Sequence, residues 1–242
     1  MTYCVAMKLA DGLVMASDSR TNAGVDHVAT FCKMTVLEKP GEEVIVLLSA
    51  GNLATTQSTV SLLRRRLKTE QDNLFTQTSM YDVACLVGET LREVIERDSS
   101  KVPAQSGVDF GSSFLLGGQI AGEEPCLFNI YPQGNFIEAT ADTPYFQIGE
   151  SKYGKPILDR VVTHETSLSE AAKCVLISFD STIKSNVSVG LPIDLLCYHR
   201  DTLAVTEKHR VLDSNPYFQS IRRAWSEGLR SLFAQLPDPD WQ

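Results

Sequence analysis

The 242-residue sequence lacks any long hydrophobic run. No window reaches the roughly 18 consecutive apolar residues that a transmembrane helix needs. The apolar stretch at the N-terminus has neither the basic lead nor the length of a secretory signal. We therefore expect a cytoplasmic protein without a membrane partner.

The sequence also has fewer basic than acidic residues. The chain has 22 Lys and Arg against 30 Asp and Glu, which gives a net charge of −8 at pH 7. This balance argues against a general nucleic-acid or anionic-membrane binder. The run Arg64-Arg65-Arg66-Leu67-Lys68 is an exception, and we interpret it as a solvated helix face or a subunit contact.

Motifs for metal binding and redox chemistry are missing. The six cysteines include no C-x-x-C pair, and the four histidines have no metal-ligand spacing. His164-Glu165 is not followed by the second histidine of an H-E-x-x-H zinc site. We predict neither a metal nor a cofactor, and we expect the cysteines to be buried small hydrophobic residues.

Nucleotide and serine-hydrolase motifs are missing as well. The segment GESKYGKP, residues 149–156, nearly matches the phosphate-binding loop G-x-x-x-x-G-K-[ST]. Pro156 stands where the loop needs a hydroxyl, and proline supplies neither an oxygen for Mg²⁺ nor an N–H for phosphate. No G-x-S-x-G elbow occurs either. What remains as a candidate nucleophile is a threonine at the start of the chain.

The hydrophobic pattern predicts strands and helices in separate runs. Asp11-Gly12 between two apolar segments indicates a hairpin. Two strands, a helix capped by Asn52 and a second helix capped by Ser79 follow. The predicted strands are 2–9, 12–19, 33–37, 43–49, 112–120, 124–131, 135–139, 145–148, 193–198 and 202–207. Two further helices are predicted after residue 148, and the second of them begins with the capping box Ser167-Leu168-Ser169-Glu170. A last helix is predicted over 216–234. This order predicts two sheets packed face to face with helices outside.

Thr2 opens the first predicted strand directly behind Met1. If Met1 is removed, the Thr2 hydroxyl can act as nucleophile and its α-amine as general base, because that amine has a pKa of about 7.7–8.0. No histidine is then needed. The chemistry also requires a nearby cation, a carboxylate that holds it and an N–H for the oxyanion.

A set of N-terminal motifs contains residues of these types. They are Thr2 at a strand start, KLADGLVMASDSR with Asp18 and Arg20, Lys33 before a strand, and SAGNLATTQ with Gly51. Together they resemble the proteasome β-subunit family, the threonine branch of the N-terminal nucleophile (Ntn) hydrolases. Within that family they are most similar to the bacterial Anbu group of ancestral β-subunits.

The resemblance implies an α+β fold, a four-layer αββα sandwich of two antiparallel sheets covered by helices. It implies one domain over residues 1–242, in which 211–242 form a C-terminal helical extension. It also implies a homo-oligomer, either a closed ring or a helical stack, that acts on peptide or protein substrates. The candidate contact surfaces are the arginine-rich helix and, on the last helix, Ile221, Trp225, Leu229 and Phe233.

The resemblance also implies a role for each motif residue. Thr2 is the nucleophile and, through its amine, the base. Lys33 lies beside it and favours its reactive form, Asp18 pairs with Lys33, and Arg20 joins the Asp18 network. Gly51 offers its N–H to the oxyanion.

Substrate-binding roles carry over to Thr21, Ser49 and Leu53, which suggests a small or mixed pocket for the residue before the cleaved bond. Two family features are replaced in this chain. The serine of the family's G-S-G segment falls near Glu150, with Ser151 next to it. The later Asp-x-x-Ser pair falls near Asn186 and Val189, so neither partner is kept.

Several alternatives remain open at this point. Asp18 and Lys33 could form an ordinary surface ion pair worth less than about 1 kcal/mol. Gly51 could serve only a strand-to-helix turn, and Glu150 could be only a turn residue. The protein could also be a catalytically silent scaffold subunit of the same fold, or an amidase for small amides. The sequence identifies no unfoldase or other activator.

Overall fold

The computed structural model describes residues 2–22, 28–69, 71–103 and 107–241. The strands are β1 (Tyr3–Leu9), β2 (Gly12–Asp18), β3 (Arg20–Asn22), β4 (Val28–Thr30), β5 (Met34–Lys39), β6 (Glu43–Gly51), β7 (Ser112–Ile120), β8 (Cys126–Ile130), β9 (Phe136–Glu138), β10 (Tyr145–Gly149), β11 (Ile193–His199) and β12 (Glu207–Val211). The helices are α1 (Leu53–Thr69), α2 (Met80–Ser99), α3 (Lys155–Val161), α4 (Leu168–Ser185) and α5 (Pro216–Gln235). A short 3₁₀ helix spans Leu74–Thr76.

The predicted N-terminal hairpin lies inside a five-stranded antiparallel sheet of order β10-β1-β2-β11-β12. β1 pairs with β2 on one side and with β10 on the other. Gly12 at the hairpin turn has φ +142, and a Cβ there would lie 1.9 Å from the Tyr198 carbonyl oxygen. Because β1 is hydrogen-bonded along both edges, the start of the chain is held in a fixed position.

The second sheet is a five-stranded meander of order β5-β6-β7-β8-β9. It packs on the first sheet through a shared layer of buried apolar side chains. Members of this layer from the first sheet include Cys4, Ala6, Leu13 and Met15, and members from the second include Val44, Val46, Leu48 and Leu115. Removing this apolar surface from water is what drives the two sheets together.

Helices cover the outer face of each sheet. α1 and α2 pack on the second sheet through a cluster that joins Ile45 and Leu47 to Leu63 and Val83. α3, α4 and the first turn of α5 pack on the first sheet. Both faces of the central strands β1, β2, β6, β7 and β11 are therefore buried, which explains why these strands are apolar without clean alternation. The predicted αββα sandwich is confirmed.

The predicted helix caps are present, with one difference in detail. Asn52 Oδ1 accepts from the Thr55 N–H at 3.2 Å, and Ser79 Oγ accepts from the Asp82 N–H at 3.1 Å. Ser167 Oγ accepts from the Glu170 N–H at 3.4 Å, but it donates to the Glu170 carboxylate at 2.7 Å. The reciprocal bond therefore joins two side chains, whereas a full capping box would use the Ser167 N–H.

The prediction of the last strand was wrong in position. β12 spans Glu207–Val211, whereas the sequence pattern favoured 202–207. Asp201 and Leu203 have φ values of +64° and +45°, a left-handed conformation that a strand does not allow. Gln119 holds this turn by accepting a hydrogen bond from the Asp201 N–H at 2.9 Å.

The expectation of buried cysteines was only partly correct. All six are free thiols; Cys4, Cys174 and Cys197 are buried, Cys85 and Cys126 are half-buried, and Cys32 is exposed. Cys32 lies in the irregular segment before β5.

The last helix is amphipathic and only partly used within the chain. Phe218 is fully buried and Ile221 packs against the core of the first sheet. Farther along α5, Leu229 and Phe233 are 48% and 78% exposed. No helix in the described residues is long and apolar enough to cross a membrane.

Candidate active site

Thr2 is fixed at the open end of β1 by its own carbonyl group. The Thr2 carbonyl oxygen accepts a hydrogen bond from the Glu150 N–H at 2.7 Å, which continues the β1–β10 register by one residue. Gly149, just before Glu150, has φ +81, and a Cβ there would lie 2.0 Å from the same Thr2 oxygen. These backbone contacts hold the half-buried Thr2 in place. The Thr2 hydroxyl forms no hydrogen bond with any residue that the structure describes.

Asp18, the last residue of β2, is the centre of the predicted site. Its Oδ1 accepts from the Lys33 ammonium at 2.6 Å and from the Tyr3 N–H at 3.1 Å. Its Oδ2 accepts from the Gly190 N–H at 3.2 Å. One carboxylate oxygen therefore joins Lys33 to the peptide group that follows Thr2.

The Asp18–Lys33 pair is buried, so the interpretation as a surface ion pair is wrong. The side chains of Lys33 and Asp18 are 4% and 0% exposed. Burial raises the pKa of Asp18 above its ordinary value, and the Lys33 charge and the two backbone N–H groups oppose that effect. Removing one member of such a pair leaves an uncompensated buried charge, which typically costs about 3–5 kcal/mol.

Arg20 joins this network through its backbone. Lys33 Nζ donates to the Arg20 carbonyl oxygen at 2.6 Å. The Arg20 guanidinium donates to the Val187 carbonyl oxygen at 2.8 Å and packs against Gly190, where a Cβ would lie 2.3 Å from Arg20 Cζ. Arg20 therefore fixes the segment whose Gly190 N–H binds Asp18.

Gly51 ends β6 where the chain turns into α1. It has φ +106, and a Cβ at this position would lie 2.4 Å from the Gly111 carbonyl oxygen. The Asn52 N–H binds that same oxygen at 3.0 Å. Both the backbone conformation and the close approach of β7 require glycine here, so the structural explanation of Gly51 holds whatever its N–H does in catalysis.

Lys33 also lines a cavity of about 320 Å³. Ser49 and Leu53, two predicted substrate-binding residues, line it together with Cys32, Lys33 and a face of α1 that ends at Arg64. The third, Thr21, lies on the β3–β4 hairpin outside this lining. A larger cavity of about 390 Å³ between α4, β11, β12 and α5 contains none of the predicted site residues.

The sequence pattern did not reveal that Glu150 and Asn186 form a pair. Asn186 Nδ2 donates to Glu150 Oε2 at 2.9 Å, and Glu150 is only 7% exposed. Glu150 does lie in a bend, as expected for a turn residue, but its carboxylate points to Asn186 at the end of α4. The only sequence signal was that both residues stand near positions where the family pattern is replaced.

Comparison with known proteins identifies the family. The proteasome subunit family model matches residues 2–196 of the chain. The chain belongs to the proteasome subunit family. Curated relatives include the proteasome subunit beta of Haloquadratum walsbyi, 24% identical over 208 residues, which cover 85% of this chain and 76% of the relative.

Solved structures of this family bring the comparison closer. The structure of Anbu, the ancestral beta-subunit, from Yersinia bercovieri is 59% identical, with a TM-score of 0.94 and 99% of each chain covered. The helical assembly of the Anbu complex from Pseudomonas aeruginosa is 56% identical, with a TM-score of 0.95, and covers 99% of this chain and 98% of that one. The resemblance stated from the N-terminal motifs is confirmed, and the chain is a proteasome-like subunit with the Ntn fold.

The steric explanation of Gly51 generates a stability prediction. Gly51→Ala should lower the free energy of unfolding by more than Gly41→Ala. Gly41 also has a positive φ, +82, but a Cβ there meets nothing within 4 Å. Both variants carry the backbone strain, on the order of 1 kcal/mol, and only Gly51→Ala adds the clash with Gly111. Urea unfolding of the two variants beside the wild type measures the difference, and equal midpoints would contradict the explanation.

Proposed function

We propose that this proteasome-like subunit is a threonine-type peptidase whose nucleophile is Thr2 after removal of Met1. Met1 itself lies outside the described residues. The proposal takes residues 1–242 as one domain with 211–242 as its helical extension. Its substrates are peptides or proteins, and it requires no metal or cofactor.

The proposed reaction uses the groups at the end of β1. The Thr2 hydroxyl oxygen attacks the carbonyl carbon of the substrate, and its proton passes to the Thr2 α-amine. The oxyanion that forms accepts a hydrogen bond from the Gly51 N–H. The protonated amine then gives its proton to the departing amine of the substrate, and water hydrolyses the resulting ester to free Thr2.

The observation that carries the proposal is the shared Asp18 oxygen. Asp18 Oδ1 binds the Lys33 ammonium at 2.6 Å and the Tyr3 N–H at 3.1 Å, so it holds a cation beside the nucleophile-bearing residue. Lys33 has low exposure and a second acceptor in the Arg20 carbonyl, so its position is fixed. Such a cation favours the neutral amine and the reactive form of the hydroxyl.

Two alternatives are less well supported. A catalytically silent scaffold subunit would have no use for a buried ion pair at the chain start, because such pairs contribute little to stability compared with apolar packing. A small-amide amidase would share the Thr2 chemistry. The cavity of about 320 Å³ lined by Lys33, Ser49 and Leu53 supports a peptide substrate, since it has room for a side chain.

The proposal includes assembly as a homo-oligomer, because a relative with 56% identity forms a helical assembly. The candidate contact surfaces differ in exposure. On α5, Leu229 and Phe233 are exposed, whereas Ile221 packs inward. On α1, Arg64 and Arg65 are exposed, and Arg66 pairs with Glu93.

Thr2→Ala tests the nucleophile. The variant should lose peptide hydrolysis while its fold and assembly stay intact, because the hydroxyl is removed from a strand end that tolerates a small side chain. Thr2→Ser should keep partial activity, since hydroxyl and amine both remain. Peptide-library turnover and light scattering on the same samples measure both effects. Unchanged turnover by Thr2→Ala would refute the mechanism.

Lys33→Ala tests the cation. We expect kcat to fall by at least about two orders of magnitude, the scale of removing a positioned electrostatic or proton-transfer group. Unfolding must be measured in parallel, because Asp18 is left buried without its cation.

Two other lysines provide matched controls for this change. Lys8 pairs with Glu138 at 3.2 Å, and Lys39 pairs with Glu43 at 3.5 Å, both at partly exposed positions. Their alanine variants should keep near-normal kcat. A large loss in Lys39→Ala with little effect of Lys33→Ala would show that the active cation has been misassigned.

Processing of Met1 tests the base. While Met1 is attached, the Thr2 nitrogen is an amide and cannot accept a proton at neutral pH, so activity should track the fraction of chains that begin at Thr2. Activity should rise with pH as the amine loses its proton, near its ordinary pKa of about 7.7–8.0 if the site leaves it unperturbed. Intact mass and turnover before and after methionine aminopeptidase treatment measure this. Full activity from chains that all retain Met1 would exclude the amine as base.

A further inference from the structure

Glu150 is a buried acid that has no role in the proposed mechanism. It is 7% exposed, and its Oε2 accepts one hydrogen bond, from Asn186 Nδ2 at 2.9 Å. Within the described part of the chain, its Oε1 accepts no hydrogen bond, and no Lys, Arg or His forms an ion pair with it. Oε1 has no partner among the described residues but keeps contact with solvent, so it can accept a hydrogen bond from a further donor. It therefore has room for a cationic partner.

Thr2 is the residue directly opposite Glu150. The Glu150 N–H binds the Thr2 carbonyl oxygen at 2.7 Å and extends the β1–β10 pairing, in which Tyr3 faces Gly149. Opposed residues on antiparallel strands have Cα atoms about 4.5–5.5 Å apart. A glutamate side chain spans that distance, so the carboxylate can reach the nitrogen of Thr2.

Asn186 is itself held in a defined orientation. Its N–H donates to the Thr182 carbonyl oxygen at 2.8 Å where α4 ends. Its Oδ1 accepts from the Ser188 N–H at 2.9 Å, so its NH₂ group is the part that is turned to Glu150. The carboxylate is thus anchored through Oε2 before any ligand is present, and Oε1 is left as an acceptor.

The other charged groups around Thr2 already have partners. Asp18 is bound to Lys33 and two backbone N–H groups. The Arg20 guanidinium is turned to Val187, and Asp194 on β11 binds Arg210 at 2.9 Å. When Met1 leaves, a new positive charge arises on the Thr2 nitrogen beside the Lys33 charge.

We infer that Glu150, anchored by Asn186, is the counter-ion of the Thr2 α-ammonium. The inference rests on the proposed function in that it requires removal of Met1. Glu150 stabilises the protonated amine and thereby opposes Lys33, which disfavours it. The balance of the two sets the pH at which the amine becomes a base. Glu150 also limits the directions in which the amine can point, so that the proton of the hydroxyl is transferred along one path.

The test measures the amine itself and needs no catalytic activity. Protein shown by intact mass to begin at Thr2 is labelled with trace acetic anhydride at a series of pH values, and acetylated N-terminal peptide is quantified. Glu150→Gln removes the charge and keeps the shape. The amine pKa should fall by roughly one unit, which makes labelling at pH 6.5 about ten times faster. Asn186→Ala keeps the Glu150 carboxylate but removes the hydrogen bond that anchors it. This variant should lower the amine pKa by a smaller amount than Glu150→Gln.

Glu138→Gln is the matched control. Glu138 is an exposed acid paired with Lys8, and its substitution changes the net charge by the same amount as Glu150→Gln. Its labelling curve should match the wild type. If Glu150 only shapes the turn, Glu150→Gln and Asn186→Ala will both label like the wild type, and the inference is overturned. If Thr2→Ala still hydrolyses peptides, the proposed function fails instead, and the labelling result is unaffected. In an active enzyme, the acid limb of the pH–kcat profile of Glu150→Gln should move to lower pH.

Discussion

The buried carboxylate of Asp18 is the constraint on which the rest of this site depends. A charge removed from water needs partners on every side, and Asp18 has three: the Lys33 ammonium and the N–H groups of Tyr3 and Gly190. These partners come from three distant parts of the chain. Satisfying one carboxylate therefore fixes the start of β1, the segment before β5 and the loop after α4 relative to each other. The geometry around Thr2 follows from that requirement, because Tyr3 cannot move without breaking its bond to Asp18.

The sandwich supplies the rigid frame for this constraint. β1 is paired on both edges and covered on both faces, so the sheet sets the position of Thr2. Glycines stand where backbones come closest: Gly149 against Thr2 and Gly51 against Gly111. In each case the missing Cβ lets a second strand or loop approach the site. The glycines of the family motifs thus serve packing as well as any direct role in binding an oxyanion.

The sequence predicted the local features well and the long-range features only through the family resemblance. The hairpin at Asp11-Gly12 and the caps at Asn52 and Ser79 depend on neighbouring residues, so they can be read from short segments. Asp18 and Lys33 are 15 positions apart and their burial depends on the packing of two sheets, so the sequence alone left a surface pair open. β12 was misplaced because the left-handed conformations of Asp201 and Leu203 do not follow from their residue types. The Glu150–Asn186 pair joins residues 36 positions apart, and no local pattern shows it.

The central claim is that the Thr2 hydroxyl is the nucleophile. The most direct measurement is the site of acylation by a peptide β-lactone, an electrophile that leaves an ester on the oxygen that attacks it. Chains that begin at Thr2 should gain one acyl group, and fragmentation of the N-terminal peptide should locate it on Thr2. Chains that retain Met1 should gain none. Protein that hydrolyses peptides but carries the acyl group on another residue would contradict the account.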